Sequence, residues 1–311
     1  MKKIPCRKSF TETLLDLAKK DEKIIALASD SRGSVTLNEY ADTLPDQFVE
    51  CGIAEQNEVG IAAGLAGMGF KPFVCAPACF LSTRSLEQVK VDVAYSNTNV
   101  KIIGISGGVS YGALGMSHHS LQDIAVMRAI PGITILLPAD EYQTREMTKK
   151  LADFDGPVYV RMGRGPVDNV YNDDFAPFEI GKANVLTQGN DIAIVATGET
   201  VPQAFNAAKI LSKEGINARV LDYHTIKPFD EESILKAADE CGAILTVEEH
   251  SRFGGLGEAV AHLLIEKKPV PMKIIGFVDE ALVSGDSSEL FEYYGLDSQS
   301  IANSAIELLR K

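Results

Sequence analysis

Short apolar runs alternate with stretches whose apolar residues recur every three or four positions, almost throughout the chain. In the first half the runs fall at 23–29, 47–53, 72–76, 100–106, 133–138 and 158–162. Several are near-continuously apolar, as strands of a parallel sheet must be when helices cover both faces. Between them, helical periodicity predicts helices near 8–20, 56–68, 82–96, 120–130 and 140–152. In the first of these, Phe10, Leu14 and Leu17 share a face. Ser9, with Glu12 three residues on, reads as its capping box. Strand and helix in strict alternation predict an α/β domain built on a largely parallel sheet.

The rhythm breaks between residues 165 and 191, where Pro166, Asn169, Asn172, Asp173, Asp174 and Pro177 cluster. Such a stretch reads as a linker. A second series then follows, with strands at 192–196, 218–221, 243–247 and 273–277. Its helices fall near 201–214, 230–240, 255–267, 287–294 and 298–310. The expected organisation is a first domain over 1–165, a linker over 166–190 and a smaller second domain over 191–311. A length of 311 residues suits two domains of ordinary size.

Composition narrows the function. Apolar residues make up 45% of the chain, enough for two cores, and the net charge is −13. An acidic chain without a Lys/Arg-rich run is a poor partner for nucleic acid or an anionic membrane. A small anionic substrate is not excluded, because a few arginines can hold a phosphate inside an acidic protein. The five cysteines, Cys6, Cys51, Cys75, Cys79 and Cys241, are odd in number and scattered, unlike a disulfide framework. Cys75 and Cys79, in an apolar stretch, read as buried thiols. No apolar run approaches the roughly 20 residues of a membrane span. Met1 to Pro5 lacks the apolar core of a secretory signal, so a reduced, cytoplasmic setting is expected.

The chemistry concentrates in Phe48-Val49-Glu50-Cys51-Gly52-Ile53-Ala54-Glu55-Gln56-Asn57-Glu58 and the Gly/Ala-rich residues after it. A buried strand ends near Ile53, and Glu55 stands at the entry to a helix whose small residues let something pack closely. A carboxyl group there lies at the carboxyl edge of the sheet, where α/β folds place ligands. Alternatively, Glu55 merely favours the positive end of the helix dipole.

This segment resembles the pyrimidine-binding domain of transketolases, which carries the pattern ECxIAEQNxVxIAxGxA. The resemblance runs from about Ile4 to the C-terminus and corresponds to the second half of a full-length transketolase. Cys6-Arg7-Lys8, Asp30 to Ser34, Thr83 to Val89 and Gly108 to His118 are similar to further family motifs. The resemblance implies two α/β domains, a thiamine-diphosphate-binding pyrimidine domain and a transketolase C-terminal-like domain. It implies that Glu55 hydrogen-bonds N1′ of the cofactor's aminopyrimidine and feeds a proton relay, with Phe80, Leu81 and Arg84 also at the cofactor. It places His118 on the donor sugar as a catalytic residue, with His119 only a neighbour. Arg7, Ser34 and Arg164 would hold the phosphate of the acceptor, with Arg161 a lesser helper.

The departures matter. Leu114 stands where the family has an acidic residue that reads a donor hydroxyl, and Ser106 replaces a phosphate-contacting histidine. The Glu248 to Gly257 loop reads as a structural element at a subunit contact. The family anchors Mg2+ through Gly-Asp-Gly and a later asparagine; this chain has no Gly-Asp-Gly, and Gly285-Asp286 is followed by Ser287. No metal ligand is therefore expected here. The resemblance implies a partner, an N-terminal transketolase-like subunit supplying the diphosphate and Mg2+ motif, with self-association giving an α2β2 assembly. The expected activity is ketol transfer between phosphorylated sugars. A 1-deoxyxylulose-5-phosphate synthase-like or E1β-like subunit acting on a 2-oxo acid is a second reading, and a non-catalytic homologue a third.

Overall fold

The structure, a computed structural model, describes residues 3–310. The first half runs α1 (Cys6–Ala18), β1 (Ile24–Ala28), α2 (Asn38–Thr43), β2 (Phe48–Glu50), α3 (Glu55–Gly67), β3 (Lys71–Pro77), α4 (Leu86–Gln88), β4 (Lys101–Ile105), α5 (Asp123–Arg128), β5 (Thr134–Leu136), α6 (Glu141–Asp153) and β6 (Val158–Met162). The second runs β7 (Asn184–Thr187), β8 (Ile192–Ala196), α7 (Val201–Lys213), β9 (Ala218–Asp222), β10 (Thr225–Lys227), α8 (Glu231–Cys241), β11 (Ile244–Ser251), α9 (Leu256–Lys267), β12 (Met272–Phe277), α10 (Ser287–Tyr294) and α11 (Ser298–Leu309).

Two largely parallel sheets result, as the alternating pattern predicts. The first is seven-stranded, in the order β10-β5-β6-β4-β3-β1-β2, and the second five-stranded, in the order β12-β11-β8-β9-β7. β1, β4, β6, β8 and β9 are buried along their whole length, because helices cover both faces. One core on the first sheet joins α1 and α6 residues such as Phe10, Leu14 and Met147 to Ile103 and Val160. The core on the opposite face continues from Val59, Ile102 and Tyr159 into Leu221, Tyr223 and Val260 of the second half. The two sheets therefore share apolar packing.

Four features differ from the sequence reading. The first helix starts at Cys6 with Pro5 at its cap, and Ser9, expected as that cap, donates from Oγ to the Glu141 carbonyl at 2.6 Å. β7 falls within the stretch that reads as a linker, and pairs antiparallel with β9. That stretch is also tied down: Asp140 caps α6 and accepts the Val170 and Tyr171 N–H groups at 2.8 Å each. β10, from the second half, closes the first sheet by pairing antiparallel with β5. Three residues are too few to show a periodicity. Finally, most of 80–95 is π-helix, at Phe80–Arg84 and Val89–Tyr95 around Ser85 and α4. Such wider turns accumulate at functional sites.

Candidate functional site

The carboxyl ends of β1, β2, β3 and β4 meet along one edge of the first sheet, and the loops leaving them form the site. Glu50 knits this edge together, its Oε1 accepting the Asp30 N–H at 2.7 Å and the Gly52 N–H at 3.1 Å. Asp30 and Ser106, just past β1 and β4, hold left-handed backbone at φ 52° and 62°. Strain of this kind in non-glycine residues needs support from its surroundings and gathers at functional edges.

Glu55 opens α3 and is only 3% exposed. A buried carboxylate needs a partner, and Arg84 supplies it, Nη1 donating to Oε2 at 2.6 Å. The Arg84 guanidinium lies 4.3 Å from the centre of the Phe80 ring. Phe80 meets His118 edge to face at 5.4 Å, and His118 meets Tyr111 in the same manner at 5.3 Å. The Arg164 guanidinium lies over the Tyr111 ring, 4.9 Å from its centre. Arg7 donates to the backbone carbonyl of Ser34. Burial, and then Arg164, lowers the Arg7 pKa, so the two cations stand close enough to repel. Arg7 Nε and Arg164 Nη1 are buried without a partner. Glu55, Arg84, Phe80 and His118 thus gather at one end, and Arg7, Ser34 and Arg164 at the other.

Leu81 does not join them. It is fully buried in the core with Val59, Ala62 and Val89, since each step along the helical turn swings the next side chain to a different face. The resemblance puts it at the cofactor; the structure puts its side chain in this core. Arg161, expected as a lesser helper at the phosphate, is taken up by other partners. It is 5% exposed and engaged by Asp123 and Glu249. His119 is turned inward, its Nε2 against the Gly112 carbonyl at 3.1 Å, and burial lowers its pKa. His118 Nδ1 lies 3.0 Å from Ser117 Oγ. Leu114 is 53% exposed at the tip of this loop, with Met116 nearby, so the loop presents apolar surface. A pocket of about 370 Å³ opens between Phe80, Thr83, Arg84, Met116, Ser117 and His119.

Sequence reasoning missed how the second domain holds the loop carrying His118. Glu249 Oε1 accepts the Val109 N–H at 2.8 Å, and Arg161 Nη2 donates to the Glu249 carbonyl at 2.7 Å. Asp123, fully buried, accepts from Tyr159 Oη at 2.8 Å and faces Arg161 Nε at 3.4 Å. Ser287 Oγ adds a hydrogen bond to the Val109 carbonyl at 3.0 Å. Burial pushes Glu249 and the neighbouring Glu199 up to about 7. Gly108 makes this possible: its φ is 59°, and the Glu249 carboxyl occupies the space a side chain would take. Within the chain the Glu248 to Gly257 loop also has internal work: Glu248 accepts the Leu256 and Gly257 N–H groups at 2.7 and 2.8 Å, capping α9.

Two family models match the chain: "Transketolase, pyrimidine binding domain" over residues 2–168, and "Transketolase, C-terminal domain" over residues 181–301. The chain belongs to the transketolase family. It is 59% identical to one of the subunits of the apulose-4-phosphate transketolase of Phocaeicola vulgatus, over 99% of this chain and 98% of that protein. It is 39% identical to the 6-deoxy-6-sulfo-D-fructose transketolase subunit SqwH of Clostridium sp., over 98% and 94% respectively. Among solved structures, a split gene transketolase described as an inactive beta4 tetramer superposes with a TM-score of 0.91 at 38% identity, covering 99% of both chains. In this transketolase-family chain, no helix among the described residues is long and apolar enough to cross a membrane.

Proposed function

We propose that this chain is the β-type, C-terminal subunit of a split thiamine-diphosphate-dependent transketolase that moves a two-carbon ketol unit between phosphorylated sugars. The observation that carries the reading is Glu55, buried and ion-paired at the entry to α3, beside a pocket walled by Phe80. A carboxyl group there, with an aromatic wall, fits a planar heterocycle that must be gripped through a ring nitrogen. When bound, thiamine diphosphate supplies the carbon nucleophile; the protein supplies proton transfer and geometry.

Each residue then has a defined task. Glu55 hydrogen-bonds the aminopyrimidine N1′ and holds the proton there. Arg84 orients that carboxyl group. His118, in edge-to-face contact with Phe80 and Tyr111, presents a nitrogen to the donor hydroxyls and moves a proton at the sugar oxygen. Arg7 and Arg164, with Ser34 between strand and helix, hold a phosphate dianion; their buried unpartnered nitrogens are the donors it would satisfy.

The Mg2+ and the diphosphate fall to a partner. Among the described residues, no group of three His, Cys, Asp or Glu side chains could hold a metal ion. The reading is an α2β2 assembly in the cytoplasm, with the metal ligands on a transketolase-like N-terminal subunit and a self-associated pair of this chain. The relatives named as subunits support it. A 2-oxo acid donor is the second reading, favoured by the exposed Leu114 alone.

Turnover of the reconstituted pair, with a ketose phosphate set against pyruvate, separates the two donors. Glu55→Gln in the same assay is expected to lower kcat at least a hundredfold, the usual size of a lost general acid–base contribution. Unchanged turnover in that variant eliminates the mechanism.

A further inference from the structure

The two ends of the site are joined by one side chain to which the mechanism gives no task. Tyr111 meets His118 edge to face, with ring planes 74° apart, and offers a ring face to Arg164. Its position is held from both flanks. Gly112, next in the chain, packs directly against the Gly285 carbonyl of the second domain, and its own carbonyl is bonded to His119. Val109, two residues earlier, is fixed by Glu249 and Ser287. The backbone carrying Tyr111 therefore cannot drift without breaking contacts to both domains.

The ring works as a spacer with polarity. Its π-face attracts the guanidinium, and its T-shaped contact holds the neighbouring imidazole. Arg164 also stands close to a second cation, Arg7, which would push it away if nothing else held it. We propose that Tyr111 is a positioning residue that sets the reach between the phosphate cradle and His118, and so makes the enzyme selective for acceptors that carry a phosphate at the end remote from the carbonyl. This rests on the phosphate reading of Arg7, Ser34 and Arg164. The aromatic ring is the working part, because both contacts are made by the ring.

The test uses the reconstituted holoenzyme and two matched acceptors, D-ribose 5-phosphate and D-ribose, with kcat and KM measured for each. Replacing the ring in Tyr111→Leu or Tyr111→Met removes one cation–π and one aromatic contact. The expected loss in kcat/KM is about tenfold or more for the phosphorylated acceptor, carried mainly by KM. D-ribose makes no use of the cradle, so it should lose only what the loosened His118 costs in kcat, clearly less than the phosphorylated acceptor and with KM unmoved. Tyr111→Phe, which keeps the ring, retains the wild-type preference. Equal losses for both acceptors, or no loss in either, overturn the proposal while leaving the phosphate reading intact. A wild-type enzyme that does not distinguish the acceptors, and an Arg164→Met variant that behaves like it, overturn the phosphate reading and this inference with it.

Discussion

Replacing Arg161 with methionine probes the clasp between the two domains. Arg161 is 5% exposed and faces two buried carboxyl groups, Asp123 at 3.4 Å and Glu249 at 3.5 Å. Methionine keeps much of the packing volume and removes the charge and the donated hydrogen bonds. Breaking a buried pair by deleting one partner costs roughly 3–5 kcal/mol, because the remaining charge stays buried. With a urea m-value of roughly 3 kcal/mol/M, the unfolding midpoint falls by about 1–1.7 M at pH 8. The sign of the pH dependence follows from Glu249. Burial pushes it up to about 7 even with Arg161 holding it down. Without the arginine it rises further, so the variant keeps its proton at pH 8 where the wild type has mostly lost it. The variant's deficit should then shrink by about 1.4 kcal/mol between pH 8 and pH 6, one proton over one pH unit. Urea titrations followed by fluorescence and circular dichroism at both pH values measure this. A deficit under about 1 kcal/mol at pH 8, or one equal at the two pH values, would refute the reasoning.

Two further predictions concern stability. Glu58, one turn after Glu55, is fully buried, and burial together with Glu55 and Glu50 pushes its carboxyl up to about 8. A carboxyl raised in the folded state stabilises most below its unfolded value, and that stability is lost as pH rises towards 8. The wild-type melting temperature should therefore fall between pH 5.5 and 8.5, and Glu58→Gln should fall less steeply, by about 1.4 kcal/mol per pH unit for the one proton removed; parallel pH profiles would contradict this. Gly108→Ala places a methyl group on left-handed backbone and into the Glu249 carboxyl. It should destabilise by about 2–4 kcal/mol, read as a drop in melting temperature, whereas a melt within a degree of wild type would show the loop is not held as described.

Much of this was legible in the sequence because it is local. The uninterrupted apolar run of β1 and the near-continuous ones of β4 and β6 announce buried parallel strands, and Phe48 to Ala66 announces a strand-to-helix carboxyl group. What was illegible depends on distant contacts. β10 has three residues and owes its strand state to β5, some ninety positions earlier. Ser9 looked like a cap because its spacing to Glu12 fits, but a tertiary bond to Glu141 and Pro5 at the true cap decide otherwise. Leu81 sat beside Phe80 in sequence, and only the helical turn shows that the two point apart. Arg161 and Glu249 lie 88 positions apart, and no periodicity links them. Tyr111 was visible inside a motif, yet its importance appears only when His118 and Arg164 are both seen against its ring.

The proposed chemistry turns on where the aminopyrimidine ring binds. A structure of this chain assembled with its partner and thiamine diphosphate measures that directly. The expected result is N1′ within about 2.6–3.0 Å of the Glu55 carboxyl group, with the metal ligands drawn from the other polypeptide. A ring bound out of reach of Glu55 would contradict it.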